Sequence, residues 1–207
     1  MINYAVAASG GGSDFGSAIA AEKAGLIQNG KIVLLITENP EAGALKRAAD
    51  AGINSVIARH PDYENVSKEE RVLYRTESIL KAMWDFNAEF LFLAGYLKKI
   101  PKEVLELYKV FNIHPALDLA RFGGPGMYGL NVHQAVIDAG EKFSGATIHR
   151  CTEVYDCPDD IRWQTEKVPV EADDTPETLQ TRILVQEHII IPKFLAAYTA
   201  GIVRNYD

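Results

Sequence analysis

The sequence predicts a doubly wound α/β fold: a mostly parallel sheet with helices on both faces and an antiparallel C-terminal portion. Three observations predict it. Short apolar runs alternate with helical patterns through the first half of the chain, as parallel strands joined by right-handed crossovers require. A glycine-rich turn, SGGGSD, joins the first apolar run to the first helical stretch. Beyond Gly140 the pattern changes to the period-two alternation of antiparallel strands.

The elements follow in order. YAVAAS (Tyr4 to Ser9) reads as the first strand, and Asp14 to Ala24 as the helix after the glycine turn. KIVLLIT (Lys31 to Thr37) is nearly continuous in apolar residues, the mark of a strand covered on both faces. Pro40 to Ala51 is an alanine-rich helix with Gly52 as its stop signal. SVIAR (Ser55 to Arg59) is a weaker strand, and Lys68 to Asn87 carries apolar residues at helical spacing. EFLFLAG is a strong fourth strand ending near Gly95; Pro101 to Tyr108 is a helix with proline in its first turn; VFNIH is the fifth strand. Val132 to Gly140 is a short helix closed by glycine. GATIHRCTEV and DIRWQTEKVPV read as antiparallel strands, and a last helix runs from about Pro176 to Ala200, kinked or split at Pro192. No repeat or linker divides the 207 residues, so residues 1–207 read as one Rossmann-like domain with an N-terminal part to about residue 110 and a C-terminal part from about residue 111.

Composition narrows the function. A net charge of -7 disfavours non-specific nucleic-acid binding. The two cysteines, Cys151 and Cys157, make no disulfide framework and match no common metal motif, so no metal is expected. The N-terminus lacks the pattern of a secretory signal and no apolar run reaches membrane-span length. A soluble cytoplasmic protein, binding neither membrane nor nucleic acid, is the expectation.

Three stretches carry chemistry. In KVFNIHPAL, Asn112 and His114 share one face of a strand, and Pro115, which has no N–H to offer a ladder, favours ending it there. Ligands in open α/β sheets bind beyond the carboxyl ends of strands, so both side chains emerge where a crevice is expected. The competing reading is an amide and an imidazole satisfied by local backbone. In ASGGGSDFGSAIAA, the glycines allow close backbone approach and the helix start offers N–H groups to an anion. It is not a P-loop, and Asp14 would repel a phosphate placed close to it; a tight turn capped by Ser13 or Asp14 is the alternative. No acidic residue is convincingly placed after the second strand to hold an adenine ribose, which disfavours a Rossmann-type oxidoreductase. In SGATIHRCTEVYDCPDD, Asp156 follows a strand; brought near His114 it would favour the protonated imidazole. Asp159 and Asp160 read as a solvated acidic turn.

NIHPALDLARFGGPGMYGLNVHQAV resembles the signature of the folate-dependent formyltransferase family, above all its phosphoribosylglycinamide formyltransferase branch. ASGGGSD resembles that family's phosphate loop, FLAGYLKKIP its pterin-side segment, SGATIHRCTEVYD the segment ending in its aspartate, and QEHIIIP its Gln-Glu-His segment. The matches keep their order from Ala8 to Pro192.

The resemblance implies formyl transfer from 10-formyltetrahydrofolate, as co-substrate, to the amine of glycinamide ribonucleotide in purine biosynthesis. It implies small-molecule substrates and leaves a homodimer open. Carried over by residue, Asn112 donates to the formyl oxygen, His114 is a cationic proton donor, and Asp156 keeps His114 protonated. Gly12, Ser13 and Asp14 match the phosphate site. Gln186 and Glu187 match the part that holds the rest of the ribonucleotide. Leu97, Lys98, Lys99 and Ile100 match the segment beside the pterin, Thr152, Glu153, Val154 and Tyr155 the loop that closes over it, and Lys68 a basic residue near the folate tail. His133 and His149 match family positions and are read as structural or supporting. Three departures, Asp14, Pro125 and the Cys157-Pro158-Asp159 turn, put the acceptor more in question than the chemistry. A different amine acceptor, or a non-catalytic nucleotide-binding relative, is the alternative.

Overall fold

The computed structural model describes residues 1–203. The chain divides into two compact units, Met1–Val110 and Phe111–Asp207.

The first unit holds β1 (Ile2–Ala7), α1 (Ser13–Lys23), β2 (Gly30–Thr37), α2 (Gly43–Ala51), β3 (Asn54–Ile57), α3 (Lys68–Asp85), β4 (Phe90–Leu93) and α4 (Lys102–Leu107). Its strands are ordered β3-β2-β1-β4, and every pairing is parallel. The chain therefore winds outward from β1 through β2 to β3, then returns across β1 to β4. Right-handed crossovers place α1 and α2 on one face and α3 on the other. β2 is buried on both faces, with Leu34, Leu35 and Ile36 fully covered; each such side chain contributes about 1.5–3 kcal/mol of burial. Tyr4 of β1 stacks on Phe90 of β4 with ring centroids 4.9 Å apart. α3 starts at a capping box: Ser67 Oγ accepts from the Glu70 N–H at 3.1 Å, and Glu70 Oε2 accepts from the Ser67 N–H at 2.9 Å.

The second unit begins within β5 (Lys109–His114) and holds α5 (Leu119–Phe122), α6 (Leu130–Asp138), β6 (Phe143–Ser144), β7 (Thr147–Arg150), β8 (Ile161–Gln164), β9 (Val168–Pro169) and α7 (Pro176–Thr199). Its larger ladder is ordered β5-β7-β8, and both pairings are antiparallel. β6 and β9 form a separate two-residue antiparallel ladder. Phe111 packs edge-on against Phe194 and Tyr198 of α7, at centroid distances of 5.1 and 4.8 Å.

The expected fold class is met: helices alternate with parallel strands, and the antiparallel portion is C-terminal. Boundaries differ locally. α2 starts at Gly43, not at Pro40. DIRWQTEKVPV is two strands, β8 and β9, rather than one: β8 pairs with β7 and β9 with β6. The single turn α5 escaped notice, being too short to show a period. Pro192 does not split α7, which runs unbroken from Pro176 to Thr199. One intrahelical bond is lost there, but Ile190, Ile191, Phe194 and Leu195 bury the turns on either side and hold them. No helix of the described residues is long and apolar enough to cross a membrane.

Candidate active site

In the second unit, β5 ends at His114, and Asn112 and His114 face the same way, as the alternation requires. The register pairs Asn112 with His149 and His114 with Thr147 on β7. Cross-strand partners share a face, so His149 lies beside Asn112: Asn112 Nδ2 and His149 Nε2 are 3.1 Å apart. Beyond Arg150 the chain turns back. Asp156, at a positive φ of 44°, brings its carboxylate to the same point. Aspartate tolerates this left-handed conformation better than most side chains.

Asp156 bridges the cluster. Its Oδ1 is 3.2 Å from His149 Nε2, and its Oδ2 is 3.7 Å from His114 Nδ1. Oδ2 also accepts the Gly124 N–H at 2.7 Å. The neighbouring glycine makes this approach possible: a Cβ on Gly123 would stand 2.7 Å from Asp156 Cβ and 2.5 Å from the Leu119 carbonyl oxygen. His114 Nε2 donates to the Phe122 carbonyl at 2.7 Å, which fixes the proton on that nitrogen and turns Nδ1 towards the carboxylate. His149 Nε2 has a carboxylate, which only accepts, and an amide nitrogen, which only donates, within reach. A neutral Nε2 can meet only one of them at a time, as Nε2–H to Asp156 or as a lone pair to Asn112.

The electrostatics follow from burial. His114 is 4% exposed. Burial lowers its pKa below the usual imidazole value, and Asp156 and the Phe122 carbonyl only partly restore it. The expected cation on His114 is thus opposed by desolvation and favoured by the carboxylate 3.7 Å away. Burial pushes Asp156 upward, but the His149 hydrogen bond, His114 and the Gly124 amide outweigh it and hold the carboxyl below its ordinary value. His133, on α6, is 1% exposed and its pKa is pushed down to about 4 by burial and by His114.

His149 was read as a supporting residue, and the structure places it inside the cluster. The missed signal is the register: Asn112 and His149 become neighbours only once β5 and β7 are paired. Thr152, Glu153, Val154 and Tyr155 form the loop leading to Asp156, and Thr152 Oγ1 caps it by accepting the Val154 N–H at 3.3 Å. Glu153, Val154 and Tyr155 are exposed. Gln186 and Glu187 lie on α7, half-buried and buried respectively. Asp160 is not merely solvated, since it pairs with Arg162 at 3.5 Å.

In the first unit, the glycine loop follows β1 into α1. Gly12 is the N-cap residue, with φ 67°, and no side chain caps the helix, so neither Ser13 nor Asp14 does so. A side chain at Gly12 would be strained, and its Cβ would meet Ala44 Cβ at 2.8 Å. Asp14, 9% exposed, sits in the first turn of α1. Ser9 Oγ donates to Glu38 Oε2 at 2.9 Å and accepts the Leu97 N–H at 2.8 Å. Glu38 thus stands directly after β2, where the sequence reading had found no well-placed acid; Ser9 already engages its carboxylate. Leu97, Lys98 and Lys99 are exposed, Lys68 is exposed at the start of α3, and Ile100 is packed inside at 5% exposure. Among the described residues no group of three or more His, Cys, Asp or Glu is arranged to hold a metal ion.

A family model described as formyl transferase matches residues 2–195. The chain belongs to the formyl transferase family. It is 39% identical over 186 residues to the chloroplastic phosphoribosylglycinamide formyltransferase of Vigna unguiculata, a match covering 89% of this chain and 56% of that protein. The chain thus spans little more than half the length of that relative. Among solved structures it is similar to the phosphoribosylglycinamide formyltransferase of Coxiella burnetii, with 31% identity and a TM-score of 0.79 over 97% of this chain and 88% of that one. That of Brucella melitensis gives 33% identity and a TM-score of 0.78, covering 97% of this chain and 96% of that one.

Proposed function

We propose that the chain is a folate-dependent formyltransferase, a single domain that moves the formyl group of 10-formyltetrahydrofolate to the amine of glycinamide ribonucleotide in purine biosynthesis. One observation carries the reading: an amide, two imidazoles and a carboxylate from three separate segments meet at the end of β5. Membership of the formyl transferase family supports it.

The amine attacks the formyl carbon, and charge develops on the formyl oxygen. Asn112 has two amide protons, and the one turned away from His149 serves that oxygen. Neutral His114, with its Nε2–H held by Phe122, takes the proton released by the amine on Nδ1 and returns it to the departing folate nitrogen. Asp156 favours that transient imidazolium and stabilises it without itself being protonated. Gly12, Ser13 and Asp14 hold the acceptor's phosphate at the start of α1, and Gln186 and Glu187 hold the rest of the ribonucleotide. Leu97, Lys98, Lys99 and the Thr152–Tyr155 loop flank the pterin, and Lys68 meets the folate tail. The reaction calls for no metal. We place the protein in the cytoplasm, and its homodimerisation is decided by light scattering at working concentration.

The test supplies 10-formyltetrahydrofolate with a panel of amines and follows folate release. Release driven by glycinamide ribonucleotide is the expected result; release with no amine of the panel, in a folded protein, ends the proposal. A second reading keeps the chemistry and changes the acceptor. Asp14 favours it, because a carboxylate in the first turn of α1 weakens the loop for a dianionic phosphate. Preference for an unphosphorylated amine would decide for it.

A further inference from the structure

The carbonyl oxygens of Ser9, Gly10 and Gly11 are each taken by a donor from the segment after β2. Asn39 Nδ2 donates to Ser9 O at 3.0 Å. The Ala44 N–H, in the first turn of α2, donates to Gly10 O at 3.1 Å. Arg47 Nε donates to Gly11 O at 2.7 Å. In a trans peptide the C=O and the following N–H point in opposite directions, and no described peptide is cis. Three carbonyls turned towards the segment after β2 therefore turn the N–H groups of Gly10, Gly11 and Gly12 away from it. None of these three N–H groups has a hydrogen-bond partner among the described residues. Successive N–H groups presented in this way form a concavity for an anion.

Space has been left for the arginine. A Cβ on Gly16 would stand 3.0 Å from Arg47 Nη1, and one on Gly12 would stand 3.6 Å from Arg47 Cδ. A Cβ on Gly43 would press on Gly11 Cα at 3.3 Å. The guanidinium thus lies along the first turn of α1, the turn that carries Asp14.

We propose that Arg47, assisted by Asn39, is a positioning residue for the acceptor's phosphate: it holds the Gly11–Gly12 peptide with its N–H directed at the anion, and its charge offsets that of Asp14. A lysine at this place would supply the charge but not the Nε–H set at the root of a rigid planar fork. The inference rests on the reading that the loop receives a phosphate, and the experiment separates the two.

Wild type, Arg47→Met and Arg47→Lys are titrated with inorganic phosphate while the backbone amide resonances of Gly10, Gly11 and Gly12 are followed. KM and kcat are measured with glycinamide ribonucleotide in parallel. Phosphate should move all three resonances in wild type. Arg47→Met should weaken phosphate about tenfold, the effect of one charge-assisted hydrogen bond, and raise KM by a similar factor with a much smaller fall in kcat. Arg47→Lys should recover only a minor part of that loss. Equal phosphate affinity in wild type and Arg47→Met overturns the proposal, as does full rescue by lysine, which would make charge alone sufficient. So does formyl transfer by a wild type whose Gly10–Gly12 amides ignore phosphate. Weakened phosphate binding in Arg47→Met, with no formyl transfer by wild type, supports the positioning role and removes the proposed reaction.

Discussion

Gly123→Ala tests the geometry of the site without touching a reacting group. The φ of Gly123 is not left-handed, so alanine meets no backbone penalty there. Its Cβ, however, would stand 2.5 Å from the Leu119 carbonyl oxygen and 2.7 Å from Asp156 Cβ. The Leu119 carbonyl is anchored, since it accepts the Gly123 N–H at 3.0 Å. Asp156, in a loop, is the freer of the two. Restoring ordinary van der Waals contact requires it to retreat by about 0.7 Å, and the Leu119 turn must also give, since its carbonyl oxygen is closer still. That retreat stretches the 2.7 Å bond from Gly124 and loosens the 3.2 Å contact with His149. Loss of one buried charge-assisted hydrogen bond costs about 2 kcal/mol. In a chain of this length that lowers Tm by about 4–8 °C. A displacement of this size in a positioned group costs roughly 10²-fold in rate. Calorimetry reads the first effect and initial-rate formyl transfer the second. A variant that melts within about 1 °C of wild type and turns over at the wild-type rate would refute the argument that Gly123 is a glycine for the sake of Asp156.

Four further outcomes are expected. His114→Ala should abolish formyl transfer and leave the circular dichroism spectrum unchanged; undiminished turnover removes the mechanism. Asp156→Asn should lower kcat/KM by roughly 10²–10³ and move its acidic limb to lower pH, because Asp156 is the main group that raises the His114 pKa; an unshifted limb argues against the contact. Asp14→Asn should bind phosphate more tightly than wild type, and weaker binding would defeat the anion reading of the loop. Folding stability should depend on pH through His133, whose folded pKa of about 4 lies below the unfolded value near 6.5. Within that window the unfolded chain binds the proton and the folded one does not. The contribution, roughly 3 kcal/mol, is therefore complete above about pH 6.5 and lost as pH falls towards 4. Urea midpoints that do not change between pH 7.5 and pH 5 would contradict it.

Much of the candidate site is local, and local patterns are legible. Asn112 and His114 share a strand face through the period of two, and Pro115 follows the strand end as the sequence implies. The SGGGSD turn leads from a strand into a helix because glycine permits the positive φ of Gly12. What stayed hidden is long-range. His149 entered the cluster only through the β5–β7 register, and a shift of one residue would have turned it to the opposite face. The balance acting on His114 is hidden too, because it sets a carboxylate at a distance against a burial that only packing fixes. Glu38, Asn39 and Arg47 went unnoticed because their partners, Ser9 and Gly11, are about thirty residues earlier in the chain.

By itself the sequence determined the fold class, the strand that presents Asn112 and His114, and the glycine loop, because each follows from hydrophobic period and backbone conformation within a short window. Only the tertiary structure decided that Asp156 bridges two imidazoles, that burial lowers the His114 pKa, and that the loop's carbonyls are turned towards the segment after β2. Those outcomes depend on distances between segments remote in the chain and on how much water their packing removes, and neither quantity is written in a local pattern.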